Sequence, residues 1–384
     1  MNETKLIEEG KAKFIVTDSI FYNPHMRFNR DISSLVVGGL ATELLKNEGM
    51  LLRICDGMAA SGIRGIRYAI ENENIEHITF VDGDQVACEI ISKNIELNIL
   101  KERLISTNVV NDDINHHLYR GGMKYNFIEL DPFGSPVPFI RSALLNLRAS
   151  KKGFLSVTAT DTAVLCGAHP RACIINYGSK PMQSSICHEV GLRILIGNIV
   201  KTAAPLHLGI KPLFSISKRH YMKAILRVEK SAKLAYDSML QLGFVSLCQK
   251  CGDIKTFDRP NIDKKCGLCD SNLDWAGDLW LGQIYDTELI DRMISLNRER
   301  GYESRKEIDS ILKLMKAESN MPPFYFDLHA IADKYDIPSP KFEDVFNELK
   351  LKGFSVSRTH FNLTAIKTNA NIKDVIEAMN VKIQ

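Results

Sequence analysis

The sequence predicts an α/β fold, a mainly parallel sheet covered by helices on both faces, followed by a smaller α+β unit. Three observations carry that expectation. Residues 50–160 alternate apolar runs with amphipathic stretches: LLRIC, ASGIRGIRYAIENEN, HITFVD, VACEIISKNIELNIL, VVNDD, FIELD and FLSVTATD. This βαβα texture is what a parallel sheet needs to return its chain. An acidic residue closes each apolar run, at Asp56, Asp82, Asp112 and Asp113, Asp131 and Asp161, and the carboxyl ends of strands are where such sheets bind ligands. Finally, 384 residues exceed what one core usually serves, and the texture changes near Lys230. The expected division is residues 1–235 and 236–384.

At the amino terminus, MNETKLIEEGKAK is polar and of mixed charge. No apolar stretch approaches the roughly 20 residues of a membrane span. The expected location is the cytoplasm, away from membranes, and nothing in the chain points to an obligatory protein partner. A net charge of +3 leans basic without identifying a ligand.

The first strand runs into Asp56-Gly57-Met58-Ala59-Ala60-Ser61-Gly62-Ile63-Arg64-Gly65. Its glycines let backbone pass close to a ligand, but it lacks the GxGxxG that seats a pyrophosphate. A loop that opens on a carboxylate suits a cationic, phosphate-free ligand such as S-adenosylmethionine, with Asp56 and Ser61 as candidate contacts. Asp82 ends the second strand 20 residues after Gly62, where an acid can accept both ribose hydroxyls; a solvated loop aspartate is the competing reading. Asp113 and Ile114 end the third, offering an acceptor for an adenine amino group and an apolar side chain for its face. An N-cap for the next helix is the rival role of Asp113, and the two are compatible.

The fourth strand, FIEL, leads into LDPFGSP at residues 130–136. An exocyclic amino nitrogen is a poor nucleophile because its lone pair is delocalised. Asp131 can accept its hydrogen bond and take the proton as a new N–C bond forms. Pro132 offers no competing N–H, and Phe133 offers a face on which a base can stack. The bland alternative is an Asp-Pro turn with a core phenylalanine.

KPLFSIS and YMKAILRVEK read as an antiparallel edge to the sheet. Beyond them, Cys248-x-x-Cys251 and Cys266-x-x-Cys269 are 14 residues apart, the spacing of a four-thiolate zinc site within a ribbon at about residues 245–275. Disulfides are disfavoured in a reducing compartment, and a redox CxxC needs no second pair. Cys55, Cys88, Cys166, Cys173 and Cys187 stand singly and read as small core fillers. Helical patterns at 286–316, 327–335 and 341–352, the GFSVSRTHF ribbon and a helix at 371–380 suggest a winged-helix-like unit over about 290–384.

Several stretches together carry a resemblance: FYNP at 21–24 with Asn29-Arg30-Asp31, SGIRGIR at 61–67, LDPFGSP, TATDTAVLCGAHPRAC at 158–173, HEVGLRIL at 188–195, and RTHF with IKT within 358–368. They span almost the whole chain, and the sequence resembles the tRNA (guanine-26, N2)-dimethyltransferases of archaeal type. The resemblance implies a class I, Rossmann-like methyltransferase domain with S-adenosylmethionine as donor, an appended tRNA-binding domain, and two methyl transfers to N2 of guanine 26. It further implies cofactor contacts at Arg30, Arg64, Asp82, Asp113 and Ile114, a catalytic Asp131 and Phe133, and Phe21 as the opposite wall of a base pocket. Arg30 would then pair with the methionine carboxylate. Two positions depart from the family pattern: Glu129 stands where relatives often have aspartate, and Ile175-Asn176 replaces a basic pair.

For the RNA side, His169, Arg171 and Arg193 are expected on a phosphate-facing rim with Lys218, Arg219 and His220. Arg358, His360 and Lys367 would grip the tRNA backbone from the second domain. Two rivals are a DNA amino-methyltransferase, which uses the same Asp-Pro-aromatic physics, and an inactive zinc-ribbon RNA-binding protein.

Overall fold

The structure, a computed structural model, describes residues 4–98, 100, 105–150, 152–258 and 263–380. A hairpin of β1 (Thr4–Glu9) and β2 (Ala12–Thr17) precedes α1 (Arg27–Glu48). Asn23 caps the turn that starts α1, and Gly49 ends it in the left-handed conformation. Every residue from Phe28 to Ala41 is buried, because α1 is packed between the helix at Ile63–Glu71 and the one at Thr287–Arg300.

The sheet then builds from β3 (Leu52–Gly57), α2 (Ile63–Glu71), β4 (Ile75–Asp82), α3 (Gln85–Leu97), β5 (Ser106–Asn111), α4 (Ile114–Arg120), β6 (Phe127–Leu130), α5 (Val137–Leu147) and β7 (Lys152–Ala159). It continues through α6 (Thr162–Leu165), α7 (Pro170–Tyr177), α8 (Cys187–Ala203), β8 (Leu208–Lys218), β9 (Tyr221–Lys230) and α9 (Ala232–Met239). Strand order is β5-β4-β3-β6-β7-β9-β8, and β9 runs opposite to the other six. Chain order reverses between β3 and β6, so their carboxyl ends open the crevice that doubly wound sheets use for ligands. Ile54, Ile78, Phe80, Ile128, Leu130, Leu155 and Val157 are fully buried. Cover on both faces is the reason these strands read as continuous apolar runs.

Three antiparallel strands follow, β10 (Leu242–Cys248), β11 (Ile254–Phe257) and β12 (Leu273–Trp280), with β10 in the middle. The helical pattern expected over 286–316 is two helices, α10 (Thr287–Arg300) and α11 (Arg305–Glu318). Gly301 at φ +68° ends the first in a left-handed turn, which periodicity alone does not reveal. β13 (Phe326–Asp327), α12 (Leu328–Tyr335), α13 (Phe342–Leu351), β14 (Val356–Arg358), β15 (Ala365–Thr368) and α14 (Ile372–Asn380) complete the chain, with β15 central in a small antiparallel sheet. Residues 326–379 form their own cluster around Leu328, Val345, Leu349, Ile366 and Val375. The main core crosses residue 235, taking in Leu289, Met293, Ile308, Leu312 and Tyr325.

An ionic knot joins α8 to this last part. Glu189 Oε1 accepts from Arg193 Nε at 2.9 Å, Lys367 Nζ at 2.8 Å and the Phe324 N–H at 3.0 Å. Glu318 accepts from His360 Nδ1 at 2.7 Å and Thr359 Oγ1 at 2.7 Å, and lies 3.4 Å from Lys367. These contacts correct three expectations. Arg193, His360 and Lys367 have side chains only 4%, 1% and 3% exposed, so they bind buried acids and do not face phosphate.

Burial raises the Glu318 carboxyl, but His360 and Lys367 outweigh it and hold its pKa at about 2. A carboxylate depressed in this way stabilises the fold fully above its unfolded pKa of about 4.3, and that contribution is lost as pH falls through the folded value. The acid-denaturation profile of Glu318→Gln, followed by circular dichroism, should therefore be flatter than wild type over that window.

Candidate active site

β3 delivers Asp56 to the crevice, where its Oδ2 accepts the Gly65 N–H at 2.9 Å and pins the first turn of α2. Gly65 permits this approach, since a Cβ there would sit 2.4 Å from Phe80 Cε1. In the intervening loop, Met58 and Ala60 take left-handed φ of +58° and +49°, costing about 1 kcal/mol or more each for residues with a Cβ. The loop is held there in part by Asp82, whose Oδ2 accepts the Ala60 N–H at 2.8 Å. Burial lifts the Asp56 pKa to about 7; Arg64 opposes the rise while Glu129 and Asp131 add to it.

Asp131 follows β6 directly and is ion-paired with Arg64, which also donates to Asn29 Oδ1 at 2.8 Å and Ser33 Oγ at 3.2 Å on α1. The Pro132-Phe133-Gly134 turn is clasped to the end of β7. Gly134 N–H reaches Thr160 Oγ1 at 2.7 Å, and Thr160 N–H reaches Gly134 O at 2.9 Å. Phe133 is consequently 77% exposed. Phe21, 54% exposed, meets it edge to face with centroids 4.7 Å apart. The two rings, Asp131, Pro132, Arg30, Arg64, Asp56, Ser61 and Thr160 line one cavity of about 500 Å³. Glu129 is not part of it. It lies fully buried behind the site, 2.6 Å from Lys223 Nζ and 2.9 Å from Tyr68 Oη, which settles it as a structural ion of the sheet.

A second cavity of about 360 Å³ is lined by Asn111, Asp112, Asp113, Ile114 and Phe139, and shares Met58 and Asp82 with the first. The two could seat a ligand with a polar, charged end and a flat aromatic end, with Asp82 at the join. Asp82 already accepts two loop amides, from Ala60 and from Asp84 at 3.0 Å. Asp113 caps α4 through the His116 N–H at 3.0 Å, and Ile114 is buried beside it. The Ser61 carbonyl accepts from Asn94 Nδ2 at 2.9 Å.

Arg30 departs from expectation. Its Nε and Nη2 both bind Glu9, each at 2.6 Å, and Glu9 also holds Arg67 Nη1 at 2.8 Å. The fork expected for a ligand carboxylate thus ties the amino-terminal hairpin to α1. Burial raises the Glu9 pKa, yet the two guanidinium groups bring it down to about 2. Sequence reasoning missed Glu9, Asn29 and Thr160. The NRD and TATD stretches signalled the last two, whereas Glu9 sits in a polar segment with no local mark.

On the rim, His169 and Arg171 are exposed where α7 begins. Arg358 is exposed too, its guanidinium 4.5 Å above the Phe342 ring. Farther off, the Sγ atoms of Cys248, Cys251, Cys266 and Cys269 all lie within 4.8 Å of one another, with Cys248–Cys269 and Cys251–Cys266 each at 3.5 Å. Four thiolates around one zinc ion at 2.3 Å would stand about 3.8 Å apart, so the set fits. Tyr335 Oη donates to Cys251 O at 3.1 Å, tying this knuckle to α12.

The chain matches, over residues 2–380, a family model described as N2,N2-dimethylguanosine tRNA methyltransferase. It is 33% identical over 383 residues to the tRNA (guanine(26)-N(2))-dimethyltransferase of Methanosphaera stadtmanae, covering 97% of this chain and 96% of that one. To the protein of the same description from Pyrococcus furiosus it is 36% identical over 393 residues, with 97% of each covered. Its fold matches Trm1 from Pyrococcus horikoshii, solved in complex with S-adenosyl-L-methionine, at a TM-score of 0.87 and 32% identity, covering 98% and 99% of the two chains.

Gly65→Ala should push α2 off the strand ends. The expected loss is about 1–3 kcal/mol, as for other overpacked cores, read as a lower unfolding midpoint in urea.

Proposed function

The chain belongs to the N2,N2-dimethylguanosine tRNA methyltransferase family, and on that premise we propose that it moves two methyl groups in succession from S-adenosylmethionine to the exocyclic N2 of guanine 26 in tRNA. The observation that carries this reading is the juxtaposition of Asp131 with two exposed aromatic rings on a cavity that the Asp56–Arg64 loop also lines. The DNA and inactive RNA-binding alternatives are disfavoured, since the family match runs over residues 2–380 and so takes in both the crevice and the carboxyl-terminal elements.

S-adenosylmethionine, when bound, supplies an electrophilic methyl on a sulfonium. Asp82 would take its ribose, Asp113 and Ile114 its adenine, and Asp56, Ser61 and Arg64 its charged end. Turning the guanine out of its stack costs a few kcal/mol, which Phe133 and Phe21 offset by receiving the base. Asp131 accepts one N2–H, raises electron density on nitrogen, and takes the proton as the N–C bond forms and the methyl's bond to sulfur breaks, its electron pair leaving with a neutral thioether. Pro132 leaves the second hydrogen without a competing donor. Arg64 fixes the Asp131 rotamer against α1, and holding the reacting groups in line is the largest gain such a site can make. Between rounds Asp131 must shed its proton, and its side chain, 22% exposed, has solvent access for that. Once the spent thioether has been exchanged for a second donor, the remaining N–H is taken in the same way.

His169, Arg171 and Arg358 are proposed phosphate contacts. Cys248, Cys251, Cys266 and Cys269 are proposed to bind zinc and to brace the carboxyl-terminal elements.

Asp131→Ala should slow methylation about 10²–10⁴-fold, the usual worth of a positioned base, with donor affinity unchanged. Phe133→Ala should weaken tRNA use by about 1–3 kcal/mol. Nucleoside mass analysis of treated tRNA reads base, nitrogen and methyl count together, and full dimethylation by the Asp131 variant would remove that carboxylate from its role. Cys248→Ser/Cys266→Ser should lower the thermal midpoint while leaving donor affinity intact; equal loss of both would contradict a bracing role.

A further inference from the structure

Three metal-ligating atoms, two sulfurs and an imidazole nitrogen, converge at the same edge of the sheet as the catalytic cavity, but outside it. Cys166 follows α6, and Cys187 and His188 open α8. Their Sγ, Sγ and Nδ1 atoms all lie within 4.8 Å of one another. Cys166 Sγ is 3.7 Å from His188 Nδ1, close to the about 3.6 Å set by a zinc ion holding sulfur at 2.3 Å and nitrogen at 2.0–2.1 Å in tetrahedral geometry. Ser217 Oγ, near the carboxyl end of β8, is 3.5 Å from the same ring nitrogen.

The fold brings these atoms together across the sequence. Gly167 adopts φ +95°, and a Cβ there would sit 2.7 Å from the Gln183 nitrogen. The chain leaving Cys166 is thereby pressed onto the segment that leads into α8. Cys166 and Cys187 read from sequence as core fillers, yet both are half-buried free thiols and His188 is exposed. Cys187 also lies in the first turn of a 17-residue helix, where unpaired amides favour a thiolate.

We propose that Cys166, Cys187 and His188 form a second metal site for a zinc-class divalent ion, with water in the fourth position. Two thiolates and an imidazole select a borderline-soft ion over magnesium or calcium. On binding, each thiol releases its proton to solvent, the neutral imidazole coordinates through Nδ1, and no electrons are transferred. The ion would clamp the turn at Gly167 to α8 and so fix the start of α7, where the exposed His169 and Arg171 stand. This inference does not rest on the methylation reading, because metal content is measured without activity.

The test uses the full chain, purified anaerobically with a thiol-free reductant after growth with added zinc. Metal is counted by native mass spectrometry and elemental analysis. Wild type should carry one zinc equivalent beyond that of the four-cysteine ribbon, and Cys166→Ser/Cys187→Ser should lack it. His188→Ala changes an exposed side chain and should stay folded by circular dichroism, yet release that equivalent to a chelator at least about tenfold more readily, a typical cost of disturbing a metal site. A single equivalent in wild type that the Cys166→Ser/Cys187→Ser protein keeps, or identical content in all three proteins, would overturn the proposal. So would a metal-free chain whose peptides are joined by a Cys166–Cys187 disulfide.

Discussion

Arg64 lies buried among Asp56, Glu129 and Asp131 and reaches back to Asn29 and Ser33, so one guanidinium ties α1 to the acids at the strand ends. Three carboxylates gathered this closely, two of them buried, need compensating charge. Arg64 and Lys223 supply two positive charges against them. The shortfall shows in Asp56, which burial leaves at about 7 despite Arg64. A site short of one positive charge is matched to a guest that carries one, and a sulfonium arriving there would draw Asp56 toward its ionised form.

The carboxyl-terminal elements depend on a second set of buried charges. Glu189 and Glu318 come from α8 and α11, and Arg193, Lys367 and His360 meet them from three separate segments. Removing either acid leaves buried donors without their acceptor, a far larger cost than losing an exposed pair. Because α10 and α11 also pack into the main core, this joint is both apolar and ionic.

The sheet was legible because its signals are local. Apolar runs, acids at their ends and two CxxC pairs each lie within a few residues, and the structure places Asp56, Asp82, Asp113 and Asp131 at the carboxyl edge those signals marked. What sequence could not show was the pairing of distant charges. Lys367 reads as a cation free to meet phosphate until Glu189 is known to lie beside it, 178 positions away. Arg30 looked open until Glu9 arrived from the hairpin. Likewise Gly301 breaks one expected helix into two through a backbone angle that periodicity does not encode.

The edge-to-face contact of Phe21 and Phe133 has a kinetic meaning. At 4.7 Å between centroids no planar guest fits between the rings, so one must swing aside first, giving up an aromatic contact worth about 0.5–1.5 kcal/mol. Phe133 is anchored through the clasp at Thr160, whereas Phe21 sits in a loop, so the moving leaf of this door is Phe21. Association would then be gated by the motion of a segment near the amino terminus, and stiffening that loop would slow arrival and departure alike while leaving the equilibrium between them little changed.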